Sequence, residues 1–200
     1  MSAPAITLTP ELLIARGGHR SCYQHPENDS LCIKIHHQTT ASGLVETERE
    51  LRYYHFIKNK HIDNPAVAQY YGTVTTNLGL GFVYERITSS DNNESKTLAT
   101  YLHEWSQIQQ SIDWLDKAWL RFKKEAQQGW LITRKLHPYN LVVREDETHQ
   151  KQIVVVDNLG SSAFFPVVYF SHRVANAELE KRFSEFSELI EREYHYTLDA

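Results

Sequence analysis

The feature that most constrains the fold is a change in apolar spacing across one polar segment, TSSDNNES, at residues 88–95. Before this segment most apolar residues alternate as they do in strands. After it they recur at intervals of three and four, as they do on helices. The segment itself contains no apolar residue, which is typical of a linker. The chain is therefore predicted to be an α+β protein with a β-rich N-terminal lobe and a helical C-terminal lobe.

The N-terminal part is predicted to contain two groups of strands with one helix between them. Residues 11–35 hold the turns RGGHR and HPEND between β-favouring runs, which predicts three antiparallel strands. Apolar residues then recur at helical spacing through GLVETERELRYYHFIKN, which predicts a helix of about four turns. Residues 67–87 alternate around TNLG, which predicts a hairpin.

Helical spacing dominates the C-terminal part. A short helix is predicted from Leu98 to Trp105, and a last helix is predicted with Asn176 as its N-cap. Two strands, LVV and QIVVVD, are predicted between them around the turn REDETHQK. An amphipathic stripe that ends at Gly129 is interpreted as core. The stripe consists of Ile108, Ile112, Leu115, Trp119, Phe122 and Ala126.

Composition narrows the possible partners. A net charge of -4, with charges of both signs scattered along 200 residues, gives no long-range field for a polyanion, so nucleic acid is not expected as a partner. The apolar runs are far shorter than the roughly 20 residues of a membrane span, and the N-terminus shows no targeting pattern, so a cytoplasmic location is expected. Cys22 and Cys32 are predicted to be small core residues.

Several residues of the N-terminal part are suited to phosphate binding. Gly17 and Gly18 lack a Cβ, so backbone amides there can approach phosphate oxygens closely, although an ordinary β-turn is the alternative. Lys34, in CIKI, lies on a strand predicted to be buried, where an ammonium group needs a partner. Of three glutamates on the following helix, Glu50 is the preferred partner from its place in ERELRYY. The alternative for Lys34 is a side chain that extends to the surface.

The C-terminal part offers two oxygen ligands on neighbouring predicted strands. Asn140 stands in LHPYNLVV and Asp157 in VVVDNLG. One amide oxygen and one carboxylate, together with nucleotide phosphates, suit Mg²⁺, whereas an Asx turn and a strand-end cap are the alternatives. The backbone from Glu85 to Ile87 is predicted to hydrogen-bond an adenine edge. ATP and Mg²⁺ are therefore the predicted cofactors.

The order of these elements is that of the protein-kinase plan, and the chain resembles the PhoP regulatory network protein YrbL family, a bacterial group related to the protein-kinase-like superfamily. The resemblance runs from about residue 12 to 175 and rests on GGHRSCYQHP, LCIKI, ERELRYY, YYGTV, GFVYERI, LHPYNLVV and VVVDNLGSSAFFP. It implies one two-lobed kinase-like domain over residues 1–200, with an N-lobe at about 8–88 and a reduced helical C-lobe at about 96–196. It implies ATP and Mg²⁺ in the cleft between the lobes but no substrate.

One departure from the kinase motif bears on activity. The pattern H-R-D-x-x-x-x-N has its catalytic Asp five residues before the Asn, and that position here is Lys135. A cation cannot accept a proton, although Lys135 can stabilise charge on a phosphate and His137 can act as a proton acceptor. The alternatives are a solvated lysine and a loop histidine bonded to backbone.

Three interpretations therefore stay open. The first is an atypical ATP-dependent phosphotransferase that acts on an unknown small molecule or protein. The second is a catalytically inactive pseudokinase that acts as a regulatory binding module. The third is an enzyme that transfers the nucleotidyl group.

Overall fold

The computed structural model describes residues 6–37, 41–89, 95–163 and 166–198. Within these ranges the protein is α+β, with two antiparallel sheets and four α-helices, as the sequence predicts for its class. The strands are β1 (Leu13–Arg16), β2 (Arg20–His25), β3 (Asn28–His36), β4 (Tyr70–Thr76), β5 (Gly79–Glu85), β6 (Leu141–Glu145) and β7 (Lys151–Val155). The helices are α1 (Ala41–Asn59), α2 (Leu98–Ile108), α3 (Leu115–Gln128) and α4 (His172–Tyr194).

The described residues divide into two compact units. The first takes in the described parts of Met1–Glu48 and Ala68–Arg86, and the second takes in those of Arg49–Val67 and Ile87–Ala200. Because α1 runs from Ala41 to Asn59, the division falls inside this helix. The first unit is therefore discontinuous in sequence. Of the predicted linker at 88–95, residues 90–94 lie outside the described residues.

The first unit is built on a five-stranded antiparallel sheet in the order β1-β2-β3-β5-β4. The three predicted N-terminal strands and the predicted hairpin around TNLG are confirmed, with β3 paired to both β2 and β5. Alternate residues of β3 point to one face, where Ile33 and Ile35 pack with Leu8 and Val83. This apolar face forms the core of the unit.

The core of the second unit is an aromatic cluster between α3 and α4. The Trp119 ring stacks on Phe122 and on Phe186, with centroids 5.4 and 4.9 Å apart, and Phe183 meets it edge-on at 5.5 Å. These residues recur every three or four positions, so they share one face of each helix. The apolar stripe of α3 is thus core, as predicted.

A buried asparagine ties α1 to the end of α3 within the second unit. Nδ2 of Asn64 donates to the Tyr53 hydroxyl at 3.1 Å and to the Gly129 carbonyl oxygen at 2.9 Å. Oδ1 of Asn64 accepts from the Ala66 amide at 3.1 Å. A Cβ on Gly129 would lie 2.3 Å from Cγ of Asn64, so this position has no room for a larger residue. The side chain of Asn64, which is fully buried, therefore has three hydrogen-bond partners.

The predicted stripe does not form one continuous helix. Helix α2 ends at Ile108, its C-cap Gln109 adopts a left-handed φ of 54°, and α3 begins at Leu115. Ile108 therefore lies at the end of α2 and is 70% exposed, whereas Ile112 is 2% exposed. The prediction that Ile108 belongs to the core is wrong, because the reversal at Gln109 breaks the helical register on which it depended.

The predicted start of the last helix is also wrong. Helix α4 begins at His172, and Oγ of Ser171 accepts a hydrogen bond from the Val174 amide at 3.4 Å. Serine and asparagine are both good N-caps. The cap is Ser171, and Asn176 lies inside the helix.

The two cysteines differ in burial. Cys32 is buried and Cys22 is half-buried, and neither forms a disulfide. A hydrogen bond with the Cys22 thiol and burial both raise the pKa of Cys32. Cys32 is the core residue that the sequence predicts, whereas Cys22 is only partly so. In the part of the chain that the structure describes, no helix has both the length and the apolar character to cross a membrane.

Candidate functional site

The two predicted metal ligands lie at the same end of the β6–β7 hairpin. Asn140 ends a 3-10 turn directly before β6, and Asp157 follows the end of β7 by two residues. The strands are antiparallel with Leu141 opposite Val155. The pairing continues beyond the strands, because the Val156 amide donates to the Asn140 carbonyl oxygen at 3.0 Å. The hairpin thereby brings together two residues that are distant in sequence.

Hydrogen bonds to the backbone of Asn158 fix the turn that follows Asp157. The Asn158 amide donates to Oδ1 of Asp157 at 2.8 Å, and Asn158 has a left-handed φ of 66°. The carbonyl oxygen of Asn158 accepts from Oγ1 of Thr133 at 2.9 Å and from the Arg134 amide at 3.2 Å. The turn is therefore held by the segment that precedes Lys135.

Arg49 fixes the same turn from α1. Its Nε donates to the Leu159 carbonyl oxygen at 3.2 Å, and the Gly160 amide donates to the Ile132 carbonyl oxygen at 2.8 Å. Gly160 has a φ of 85°, and a Cβ there would lie 2.6 Å from the Arg49 carbonyl oxygen. Glycine is required at this position by both conformation and space.

Sequence analysis missed Arg49, although a signal for it exists. Arg49 lies four residues before the buried Tyr53 on α1, and it is itself buried. A charged residue on the apolar face of a helix needs a polar partner in the interior. The helical spacing therefore marks Arg49 as a residue that binds another segment.

Lys135 and His137 stand in the loop before Asn140. Lys135 is exposed and His137 is half-buried. Nδ1 of His137 accepts a long hydrogen bond from the Tyr139 amide at 3.5 Å, and the two rings stack with centroids 5.3 Å apart. Burial lowers the pKa of His137, and the positive charge of Lys135 lowers it further. The imidazole is therefore neutral at neutral pH, with its proton on Nε2 when Nδ1 accepts.

Gly17 and Gly18 occupy the connection between β1 and β2 in the first unit. Both are exposed. The Gly17 amide donates to the Arg20 carbonyl oxygen at 2.9 Å, which leaves Gly17 part of a hairpin turn. Neither glycine has a positive φ, and a Cβ on Gly18 would meet nothing within 4 Å. The fold therefore does not require glycine at position 18.

Lys34 lies in the interior of the same unit. The residue is 9% exposed, and Nζ lies 4.5 Å from the centroid of the Tyr84 ring. An ammonium group over an aromatic face is attracted by the negative face of the ring. The alternative of a side chain that extends to the surface is thus wrong.

The remaining predicted residues, Glu50 and Glu85, differ in the contacts that the structure gives them. Glu50 is 2% exposed, and its pairing with Lys34 stays a prediction. The Glu85 amide donates to the Gln69 carbonyl oxygen at 2.8 Å, and Oε2 of Glu85 accepts from the Gln69 amide at 3.1 Å. The Glu85 carbonyl oxygen accepts from the Cys32 thiol at 3.7 Å. A ligand at this segment would therefore not meet the Glu85 amide, and it would share the Glu85 carbonyl with Cys32 or meet the Ile87 backbone.

These observations define an α+β protein in which a five-stranded antiparallel sheet belongs to one unit and a two-stranded hairpin carries the main polar constellation of the other. The model of the family described as PhoP regulatory network protein YrbL matches residues 6–191. The chain belongs to this family, as the sequence resemblance predicts.

Two relatives share its sequence over most of its length. The uncharacterized protein YrbL of Escherichia coli (strain K12) is 30% identical over 181 residues, which cover 90% of this chain and 86% of the relative. The uncharacterized protein YrbL of Shigella flexneri matches with the same identity and coverage.

Proposed function

We propose that the protein has a kinase-like fold and binds ATP with Mg²⁺. The observation that carries this proposal is the position of Asn140 and Asp157 at one end of the β6–β7 hairpin. When bound, Mg²⁺ would neutralise charge on the nucleotide phosphates.

The residues at the hairpin end fit a hard divalent cation. Amide and carboxylate oxygens are the ligands that Mg²⁺ prefers, and it needs few of them when phosphates and water complete its coordination. Gly160 and Arg49 fix the turn after Asp157. A preorganised ligand loses less freedom on binding than a mobile one, so these contacts support a binding role.

The proposal gives phosphate contact to Lys34 and to the connection that holds Gly17 and Gly18. Lys34 is a buried cation, and burial strengthens its attraction for an anion. Glu50 is assigned the orientation of Lys34, and the adenine edge is assigned to the Glu85 carbonyl and the Ile87 backbone.

Whether bound ATP would be used for transfer depends on Lys135 and His137. Lys135 cannot act as a base, and the proposal gives it charge stabilisation at the phosphate. His137 is neutral because its pKa is lowered, which favours proton acceptance. An acceptor role at Nε2 requires the other tautomer, with the Tyr139 contact at 3.5 Å lost.

The tautomer with the proton on Nε2, which the Tyr139 contact favours, supports a second candidate function. A pseudokinase that binds nucleotide without transferring phosphate needs the metal ligands and Lys34 but no base. Such a binding module would suit a regulatory network, the role that the family description names.

Thermal unfolding with ATP, with and without Mg²⁺, tests nucleotide binding. At 100 times its dissociation constant a ligand stabilises the folded state by about 2.7 kcal/mol. For a domain of this size the midpoint would rise by roughly 5–10 °C. ATP that leaves the midpoint unchanged in the presence of Mg²⁺ would refute the proposal.

Matched variants test the assigned residues, each compared with its own ligand-free midpoint. Asp157→Asn is expected to abolish the Mg²⁺-dependent part of the shift, whereas Asp63→Asn, at an exposed carboxylate, leaves it unchanged. Lys34→Met is expected to weaken ATP binding, with the exposed Lys117→Met as control. Equal shifts in Asp157→Asn and the wild type would remove Asp157 from the site.

ATP labelled at either the α- or the γ-phosphate distinguishes phosphotransfer, nucleotidyl transfer and nucleotide binding without transfer. Label from the γ-position on protein or on added small molecules indicates phosphotransfer, and label from the α-position indicates nucleotidyl transfer. Binding without either transfer supports the pseudokinase.

A further inference from the structure

The second unit contains a cavity of about 570 Å³. Its walls are residues 131–134, residues 161–163, residues 166–168 and the first three turns of α4. This volume lies in the range of pockets that hold small organic molecules. No local sequence pattern predicts the cavity, because its walls come from four separate stretches of the chain.

The cavity adjoins the turn that follows Asp157. Thr133 and Arg134 line it, and both donate to the Asn158 carbonyl oxygen. Ile132, also in the wall, accepts from the Gly160 amide at 2.8 Å. A ligand in the cavity would therefore be next to the loop that carries a proposed metal ligand.

Among the wall residues that the structure describes, the charges leave one cation available. Arg182 is neutralised by Glu185, with Nη1 and Oε2 2.7 Å apart. Glu178 is paired with Lys181 at 2.9 Å, a contact that lowers the pKa of its carboxyl. Across the described ranges, by contrast, the guanidinium of Arg134 forms no hydrogen bond or ion pair. An anionic ligand group would supply its partner.

The rest of the wall is apolar with a few hydroxyls. Leu131, Val174 and Leu179 give apolar surface, and Ser161 and Ser162 give hydroxyl groups. The first turn of α4 also lines the cavity, and the positive end of a helix adds to the attraction for an anion.

We propose that this cavity binds a small molecule with one anionic group, a carboxylate or a phosphate monoester, attached to an apolar body. Arg134 binds the anion, and Leu131, Val174 and Leu179 contact the apolar part. The further assignment of this ligand as the phosphate acceptor rests on the proposed ATP-binding function. The proposal that a small anionic molecule binds in the cavity does not depend on that function.

Three simple probes test the ligand class: phenyl phosphate, phenylacetate and the neutral 2-phenylethanol. Each is titrated into the ¹⁵N-labelled full chain at low ionic strength. The anionic probes are expected to shift amide resonances of 131–134, 161–163 and 174–182, and to bind at least fivefold more tightly than the alcohol. Equal affinity of all three, or no shift in these segments, would overturn the proposal.

Two variants of Arg134 and a control at Arg173 locate the anion. Arg134→Gln is expected to weaken the anionic probes about tenfold, as a charge-assisted hydrogen bond of about 1.5 kcal/mol predicts, and Arg134→Lys to recover part of this. Arg173→Gln, at an exposed residue of α4 that does not line the cavity, should bind as the wild type does. If Arg134→Gln binds the anions normally, the assignment fails.

Val174→Asp provides a test that is independent of Arg134. Val174 lies in the first turn of α4, where a carboxylate favours the helix, so the fold should be retained. The new charge in the wall is expected to repel the anionic probes and to leave 2-phenylethanol unaffected. Unchanged binding of the anions would place them elsewhere.

The outcomes separate this proposal from the function above. If the anionic probes bind the cavity but ATP gives no thermal shift, the nucleotide proposal fails and the cavity is a ligand site of another kind. If ATP shifts the midpoint but no probe binds, only the cavity proposal fails.

Discussion

Nε of Arg49 donates a hydrogen bond to the carbonyl oxygen of Leu159 at 3.2 Å, although 110 residues separate them in sequence. The bond joins α1 to the turn that carries Asp157, within one compact unit. Hydrogen bonds made by a buried charged group contribute more than those of neutral groups. The shape of the turn at residues 157–160 is therefore determined by α1 as well as by its own sequence.

Gly160→Ala should be strongly destabilising. The added Cβ would lie 2.6 Å from the Arg49 carbonyl oxygen at a φ of 85°, so backbone strain and a steric clash combine. A loss of about 2–4 kcal/mol in the free energy of unfolding is expected, measured by urea denaturation. Gly18→Ala is the matched control, since open space surrounds that position. A similar loss in both variants would contradict the assigned role of Gly160.

Asn64→Ala should also reduce stability. It removes three hydrogen bonds and leaves the Gly129 carbonyl and the Ala66 amide without this partner in the interior. Buried groups that lose their partners cost about 1–3 kcal/mol each, so a loss of roughly 2–4 kcal/mol is expected in urea denaturation. Asn59→Ala, at the exposed end of α1, is the control and should change stability by less than about 0.5 kcal/mol.

Two isoleucines of the predicted stripe should respond differently to truncation. Ile112→Ala, at a residue 2% exposed, is expected to cost about 2–4 kcal/mol because it leaves a cavity. Ile108→Ala, at a residue 70% exposed, should stay within about 0.5 kcal/mol of the wild type. Equal losses from the two truncations would show that α2 continues through Gln109 in solution.

The stability contribution of His137 should depend on pH. Burial and then Lys135 lower its folded pKa, whereas the unfolded value is about 6.5. Between the two values the unfolded chain binds more protons, so stability rises with pH. The contribution is complete above about pH 6.5 and is lost as the pH falls through the folded pKa.

An NMR titration of the His137 ring measures this directly. Its midpoint should lie below about 6.5 and should rise in Lys135→Met, which removes the second cause. Urea denaturation of the wild type and His137→Gln should give a stability difference that is constant above that pH and changes below it. A midpoint at or above 6.5 would mean that the ring is not desolvated.

The elements predicted best from sequence were those with local signals. The alternation around TNLG and the turn HPEND specify β2 to β5, because strand period and turn chemistry are read from adjacent residues. The β6–β7 hairpin likewise follows from two apolar runs with an acidic turn between them, and it puts Asn140 and Asp157 at one end.

The features that were missed depend on contacts between distant segments. Gln109 ends α2 in a left-handed conformation without the glycine that usually marks such a position. Asn64 looks like a turn residue in DNPA, and only its contacts with Tyr53 and Gly129 show its role. The walls of the cavity lie up to about fifty positions apart, too far for any local pattern.

The division between the compact units inside α1 has an evolutionary consequence. A recombination event at the polar segment 88–95 would transfer residues 49–67 together with the first sheet. Arg49 would then lose Leu159, and Asn64 would lose Gly129. In the recombinant protein each residue would have a buried polar side chain without its hydrogen-bond partner. The resulting loss of stability would be selected against. Domain shuffling at the most obvious break in this sequence is therefore disfavoured, and the two halves are expected to be inherited together.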